Sequence, residues 1–145
     1  MQFTTTIHAP PEQVFNLIAD LPNYGKWLPS SSLYGAVTKY SDLPVRQGTQ
    51  YVDQGKTSRM TGAVTEFDPP RRIAFRQTTI SAFGQLDIQI HYTLKPTGDG
   101  TRVLRETTVT PSGGFRVLQP LILGPIRKEN ERILEMMKAY LEGKA

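Results

Sequence analysis

The chain has 145 residues, no cysteine, and 17 lysines and arginines against 13 acidic residues, for a net charge of +4. Lack of cysteine excludes disulfides, thiolate metal ligands and a cysteine nucleophile, and no apolar run approaches the roughly 18–20 residues that cross a membrane as a helix. The length fits a single domain, residues 1–145, able to bury a core without covalent staples.

Residues 2–8 read as a strand from their threonine and aromatic content. Pro10-Pro11 then opens a helix, where proline's missing N–H costs nothing. Val14, Phe15, Leu17 and Ile18 form its apolar stripe, and Pro22, Gly25 and Pro29 end it, with an irregular turn around Tyr24–Leu28. From Leu33 to Pro111 the pattern is one of strands. Ala36–Tyr40, Thr49–Gln54 and Arg59–Phe67 come first, and Asp68-Pro69-Pro70 breaks the run. Arg72–Ile80 follows, with Gly84 in the next break. Residues 86–94 alternate: Leu86, Ile88, Ile90, Tyr92 and Leu94 share one face, and Asp87, Gln89, His91 and Thr93 the other. One buried and one wet face is the mark of an antiparallel sheet. Thr97-Gly98-Asp99-Gly100 is a hairpin turn, and Arg102–Thr110 returns from it.

Pro111-Ser112-Gly113-Gly114 punctuates the chain. Beyond it Phe115, Leu118, Ile122, Ile126, Ile133, Met137 and Leu141 recur at helical spacing. Pro120 and Gly124-Pro125 predict a kink or split, with the regular helix from about Pro125 to Glu142. A sheet with one apolar face needs a cover, and this helix is the natural one. Gly62, inside a strand pattern, predicts a bulge or bend there.

The basic residues do not form the dense stripe with exposed aromatics that nucleic-acid binding needs. Arg71-Arg72-Arg76 is one small group. Arg127-Lys128-Arg132 is interleaved with Glu129, Glu131 and Glu135, the pattern of a solvated helix face. The N-terminus lacks a basic segment followed by an apolar core, so no secretory leader is expected, and the expected location is the cytoplasm.

Several motifs, taken in order, resemble the START-like helix-grip superfamily, in particular its bacterial polyketide cyclase/dehydrase and lipid-transport (SRPBCC) branch. They are Ala9-Pro10-Pro11-Glu12-Gln13-Val14-Phe15, then Asp20 with Tyr24 and Trp27, then Val64-Thr65-Glu66-Phe67-Asp68-Pro69-Pro70-Arg71-Arg72-Ile73. Gly100-Thr101-Arg102-Val103 and the C-terminal helix with Asn130 and Leu134 continue the match, which covers essentially the whole chain. The resemblance implies an α+β helix-grip fold: a seven-stranded curved antiparallel sheet wrapped around a long C-terminal helix. It also implies a cavity between them that holds a hydrophobic or amphipathic small molecule. Some members of the superfamily are enzymes acting on polyketide chains; others bind or carry lipids, sterols or quinones.

The residues that carry chemistry are sparse. His8 ends the first strand and His91 falls on a polar face, so neither builds a metal pair or a catalytic base. Asp68 before Pro69 organises a bend. Serine-nucleophile and phosphate-loop signatures are absent. No cofactor or metal is called for.

Alternation supplies the better candidates. Tyr51 inward brings Thr49 and Asp53 with it; Val103 and Val109 inward bring Arg105 and Thr107; Ile73 and Phe75 inward bring Gln77. Asp53 and Arg105 are either a structural pair, solvated residues at a cavity mouth, or polar anchors for a ligand head group, and they are the candidate catalytic residues if there is chemistry. Ile90 and Tyr92 add wall, as does Phe75, which core packing also explains. Among the other aromatics, Tyr34 is a candidate, and Trp27 and Phe83 fall in loops, where entrance residues belong. Phe115, Leu118 and Ile122 would contribute from the breakable first half of the final helix, a lid together with the loop around Phe83.

The expected function is binding or transport of a lipid, quinone, sterol-like molecule or aromatic polyketide. The alternatives are a cyclase, aromatase or dehydratase using the inward polar residues, and a module acting through a protein partner. The expected partner is a hydrophobic small molecule, with no nucleic acid and no integral membrane association, and the protein is expected as a monomer or homodimer.

Overall fold

The computed structural model describes residues 1–31, 36–55, 59–80 and 82–143. Strand β1 (Gln2–Ile7) leads into helix α1 (Pro11–Ala19) and a 3₁₀ turn (Leu21–Lys26). Six strands follow: β2 (Ala36–Thr38), β3 (Gln50–Gln54), β4 (Arg59–Asp68), β5 (Arg72–Ile80), β6 (Gly84–Pro96) and β7 (Thr101–Gly113). A short α2 (Gly114–Val117) precedes the 23-residue α3 (Gln119–Leu141).

The seven strands form one antiparallel sheet in the order β1-β7-β6-β5-β4-β3-β2. Strands β2 to β7 are thus a meander, and β1 returns to pair with β7. This is the curved sheet and long C-terminal helix that the resemblance implies.

The core gathers where α1 and the C-terminal half of α3 meet the sheet. In β1 alternation turns Phe3 and Ile7 inward. Pro10 and Pro11 start α1, which buries Val14, Phe15 and Ile18, and the Phe15 ring sits edge-on to Phe67 at 5.3 Å. Leu134 and Met137 of α3 complete the same cluster with Ile73 and Val103. Burying each such side chain is worth about 1.5–3 kcal/mol.

Three local expectations change. First, β7 does not stop at Pro111 but runs on to Gly113, with Pro111 opposite Leu86 of β6. Strand β1 covers β7 only as far as Glu106, so beyond that β7 is an edge, where a residue without an N–H costs no ladder bond. Second, the register shift lies between Val64 and Glu66, not at Gly62. Third, α3 is not divided at Gly124-Pro125; the break falls at Leu118, between α2 and α3. Pro120 sits in the first turn of α3, where it is tolerated. Pro125 lies inside the helix and orphans only the carbonyl of Leu121, a residue 72% exposed.

Candidate functional site

A cavity of about 840 Å³ lies between the concave face of the sheet and the N-terminal half of α3. Side chains reach it with the period of two that each strand imposes. Strand β3 sends Tyr51 and Asp53, β5 sends Phe75 and Gln77, and β7 sends Arg105 and Thr107. Strand β6 adds Ile88, Ile90 and Tyr92. Ile122, Ile126 and Ile133 roof the space from α3, and Phe115 reaches it from α2.

Two hydrogen-bonded polar stations stand in the wall, and Arg59, Thr79 and Glu129 line it besides. At the first, Gln77 Nε2 donates to the Tyr51 hydroxyl at 3.0 Å. The two residues belong to β3 and β5 and face Gly62 of the intervening β4 from either side. A side chain at Gly62 would meet the Tyr51 ring at 2.3 Å, so glycine lets that ring lie across β4. Asp53 is beside this pair, with its Oδ1 buried and accepting no hydrogen bond among the described residues. Burial pushes its carboxyl up to about 6; the Gln77 amide opposes the rise and the Glu129 charge adds to it. Burial likewise lifts the Tyr51 phenol well above its ordinary value.

The second station sits where β6 and β7 face α3. Arg105 and Tyr92 are register partners, and the Arg105 guanidinium donates from Nη1 to the Tyr92 hydroxyl. Arg105 Nε donates to Asn130 Oδ1 at 2.6 Å, and Thr107 Oγ1 donates to the same oxygen at 2.7 Å. The Asn130 amide in turn donates to the Ile126 carbonyl at 2.7 Å, which fixes its orientation on α3. None of the ion pairs among the described residues includes Arg105 or Asp53. They stand on β7 and β3, four strand steps apart, and are not a structural pair.

Nine of the predicted ligand-contact residues line this one cavity: Tyr51, Asp53, Phe75, Gln77, Ile90, Tyr92, Arg105, Phe115 and Ile122. Three others do not. Trp27 is 5% exposed and packs edge-on against Tyr24 at 5.0 Å, so it is core, and Tyr24 is the wall residue. Phe83 is half exposed and meets the Phe115 ring edge-on at 5.0 Å. Leu118 caps the break before α3 and turns toward solvent. Tyr34, also a candidate, lies outside the described residues. His91 sits on the opposite sheet face beside Arg76 and Gln89.

The polar lining residues that escape the pattern include Arg59, Thr79, Glu129 and Asn130. Glu129, read as part of a solvated face, lines the cavity and is held by Arg132 at 2.8 Å and by Ser31 at 3.1 Å. Asn130 is the organising group of the second station. Its signal was spacing: it stands four residues from both Ile126 and Leu134, on a buried stripe that polarity alone conceals.

Residues 1–142 match the model of a family described as polyketide cyclase/dehydrase and lipid transport. No curated protein matches the sequence. Among solved structures, protein MLL2253 of Mesorhizobium loti superposes with a TM-score of 0.75 at 15% identity, covering 100% of this chain and 98% of that one. The hypothetical protein jhp0584 of Helicobacter pylori gives 0.77 at 15% identity, covering 97% and 84%. The di-domain ARO/CYC BexL of the BE-7585A biosynthetic pathway gives 0.74 at 16% identity, covering 98% of this chain and 49% of that one. These likenesses concern the fold.

Proposed function

We propose that this chain, which belongs to the polyketide cyclase/dehydrase and lipid transport family, binds a hydrophobic or amphipathic small molecule in the cavity beneath α3. The observation that carries this reading is the cavity itself: about 840 Å³, walled largely by aliphatic and aromatic side chains, with two hydrogen-bonded polar stations in its wall. Apolar burial supplies most of the affinity in such a site, and a few fixed polar groups orient the occupant. The ligand classes that fit are a lipid, a quinone, a sterol-like molecule or an aromatic polyketide. A module that works through a protein partner is not favoured by an open interior of this size. Native mass spectrometry of the purified protein, followed by thermal shift against a panel of these classes, tests the reading. A ligand at about a hundred times its Kd should stabilise the fold by about 2.7 kcal/mol. No adduct and no shift across the panel would count against it.

A second reading, a cyclase or dehydratase, is favoured by Asp53. A buried carboxyl that titrates near 6 suits proton transfer at neutral pH. On that reading Asp53→Asn removes turnover of a polyketide-like substrate and leaves its binding. Full turnover in that variant would remove the role.

A further inference from the structure

The hydrogen bonds of the second station leave more donors than acceptors unused. Asn130 is engaged on both sides: its oxygen accepts from Arg105 Nε and Thr107, and one N–H of its amide donates to Ile126. Thr107 spends its proton on Asn130. Tyr92 accepts from Arg105 Nη1, so its own hydroxyl proton must point elsewhere. A guanidinium carries five N–H donors, and Arg105 uses two of them among the described residues, leaving Nη2 without an acceptor. Among the groups left over are the remaining Arg105 N–H donors and the Tyr92 O–H, side by side on a residue pair that lines the cavity.

The same station also lacks a counter-ion among the described residues; the guanidinium has only the face of the Tyr92 ring, 5.1 Å from its centroid. Arg105 is 6% exposed, and no carboxylate among the described residues lies within ion-pair distance of it. Of the carboxylates that line the cavity, Glu129 is held by Arg132, and Asp53 stands at the other station. A buried cation without a counter-ion is costly, and removal of that cost is affinity for whatever supplies the charge. Two adjacent donors, one of them a guanidinium, match a group with two oxygens sharing one negative charge.

Building on the binding reading above, we infer that the ligand is an amphipathic acid, and that its carboxylate seats on Arg105 and Tyr92 while its apolar body runs beneath α3 toward Asp53. The polar station on β6 and β7 then selects the ligand's charge, and the aliphatic walls select only its bulk.

The test compares cis-parinaric acid with its methyl ester by the fluorescence each gains in an apolar site, in the wild type and in Arg105→Gln. The two probes share one chain and differ in charge. The acid is expected to bind the wild type about tenfold or more tighter than the ester, as a charge-assisted pair requires. In Arg105→Gln the ratio of acid to ester affinity should fall to near one. Should Arg105→Gln fail to fold, Tyr92→Phe removes one donor and keeps the cation, and the ratio should fall severalfold. Equal affinities in the wild type, or a preference that persists in both variants, would overturn the inference and leave the cavity reading intact. If neither probe binds and no member of the wider panel does, the binding reading fails and this inference with it.

Discussion

Burial sets the Asp53 carboxyl at about 6, above its ordinary value of 3.8. Between those two values the folded chain holds a proton that the unfolded chain has already released. Stability therefore falls as pH rises through the window, and the unfavourable contribution is fully present above about pH 6. Its size is on the order of 3 kcal/mol. Asp53→Asn should raise the unfolding free energy at pH 8 by about 1–3 kcal/mol and lose that advantage near pH 4. Urea unfolding at the two pH values measures this; an equal effect at both would show that ionisation is not the cause. Alternation along β3, β5, β6 and β7 was enough to turn Tyr51, Asp53, Gln77, Tyr92 and Arg105 toward one space. It could not say who pairs with whom, because Asn130 comes from a helix far along the chain. Trp27 is core and not an entrance residue for a related reason: it follows the 3₁₀ turn in a stretch that looks like loop, yet Tyr24 folds over it.

Elements were legible where one period dominates, and less so where two elements negotiate. Strand β5 follows directly from its residues, and so does the alternating body of β6, although β6 begins at Gly84, which reads as a break. The bulge between Val64 and Glu66 carries no glycine or proline to announce it. Proline at 111 reads as a stop only if both neighbours of β7 are assumed to run its full length, and β1 does not. Gly62 is a cross-strand matter as well. Its missing side chain is the passage through which the Tyr51 ring reaches Gln77. Gly62→Ala should destabilise the protein by about 1–3 kcal/mol through overpacking. Trimming the ring in the double variant Gly62→Ala/Tyr51→Leu should return part of that loss. A double-mutant cycle by chemical denaturation reads the coupling, and simple additivity would place the strain elsewhere.

At the scale of the whole molecule, the wrapped sheet and its long helix could be read from the order of elements, since an apolar sheet face dictates a cover. How that cover divides its work could not. The C-terminal half of α3 buries Leu134 and Met137 in the core and gives the cavity only Ile133, while the N-terminal half supplies most of the roof and exposes Leu121. Backbone amides in residues 119–125 should exchange with deuterium faster than those in residues 130–141, by tenfold or more. A saturating ligand should slow the first set and leave the second near its starting rate. Uniform exchange along α3 would mean that the helix opens as one body.

That division has a consequence for how long a ligand stays. If the roof opens without disturbing the half of α3 that belongs to the core, the dissociation rate is set by two turns of helix and not by the stability of the fold. Substitutions at Leu134 or Met137 would then change how readily the protein melts with little effect on residence time. Substitutions at Pro120 or Pro125 would do the reverse. Durability and release would be separately adjustable properties of a single helix.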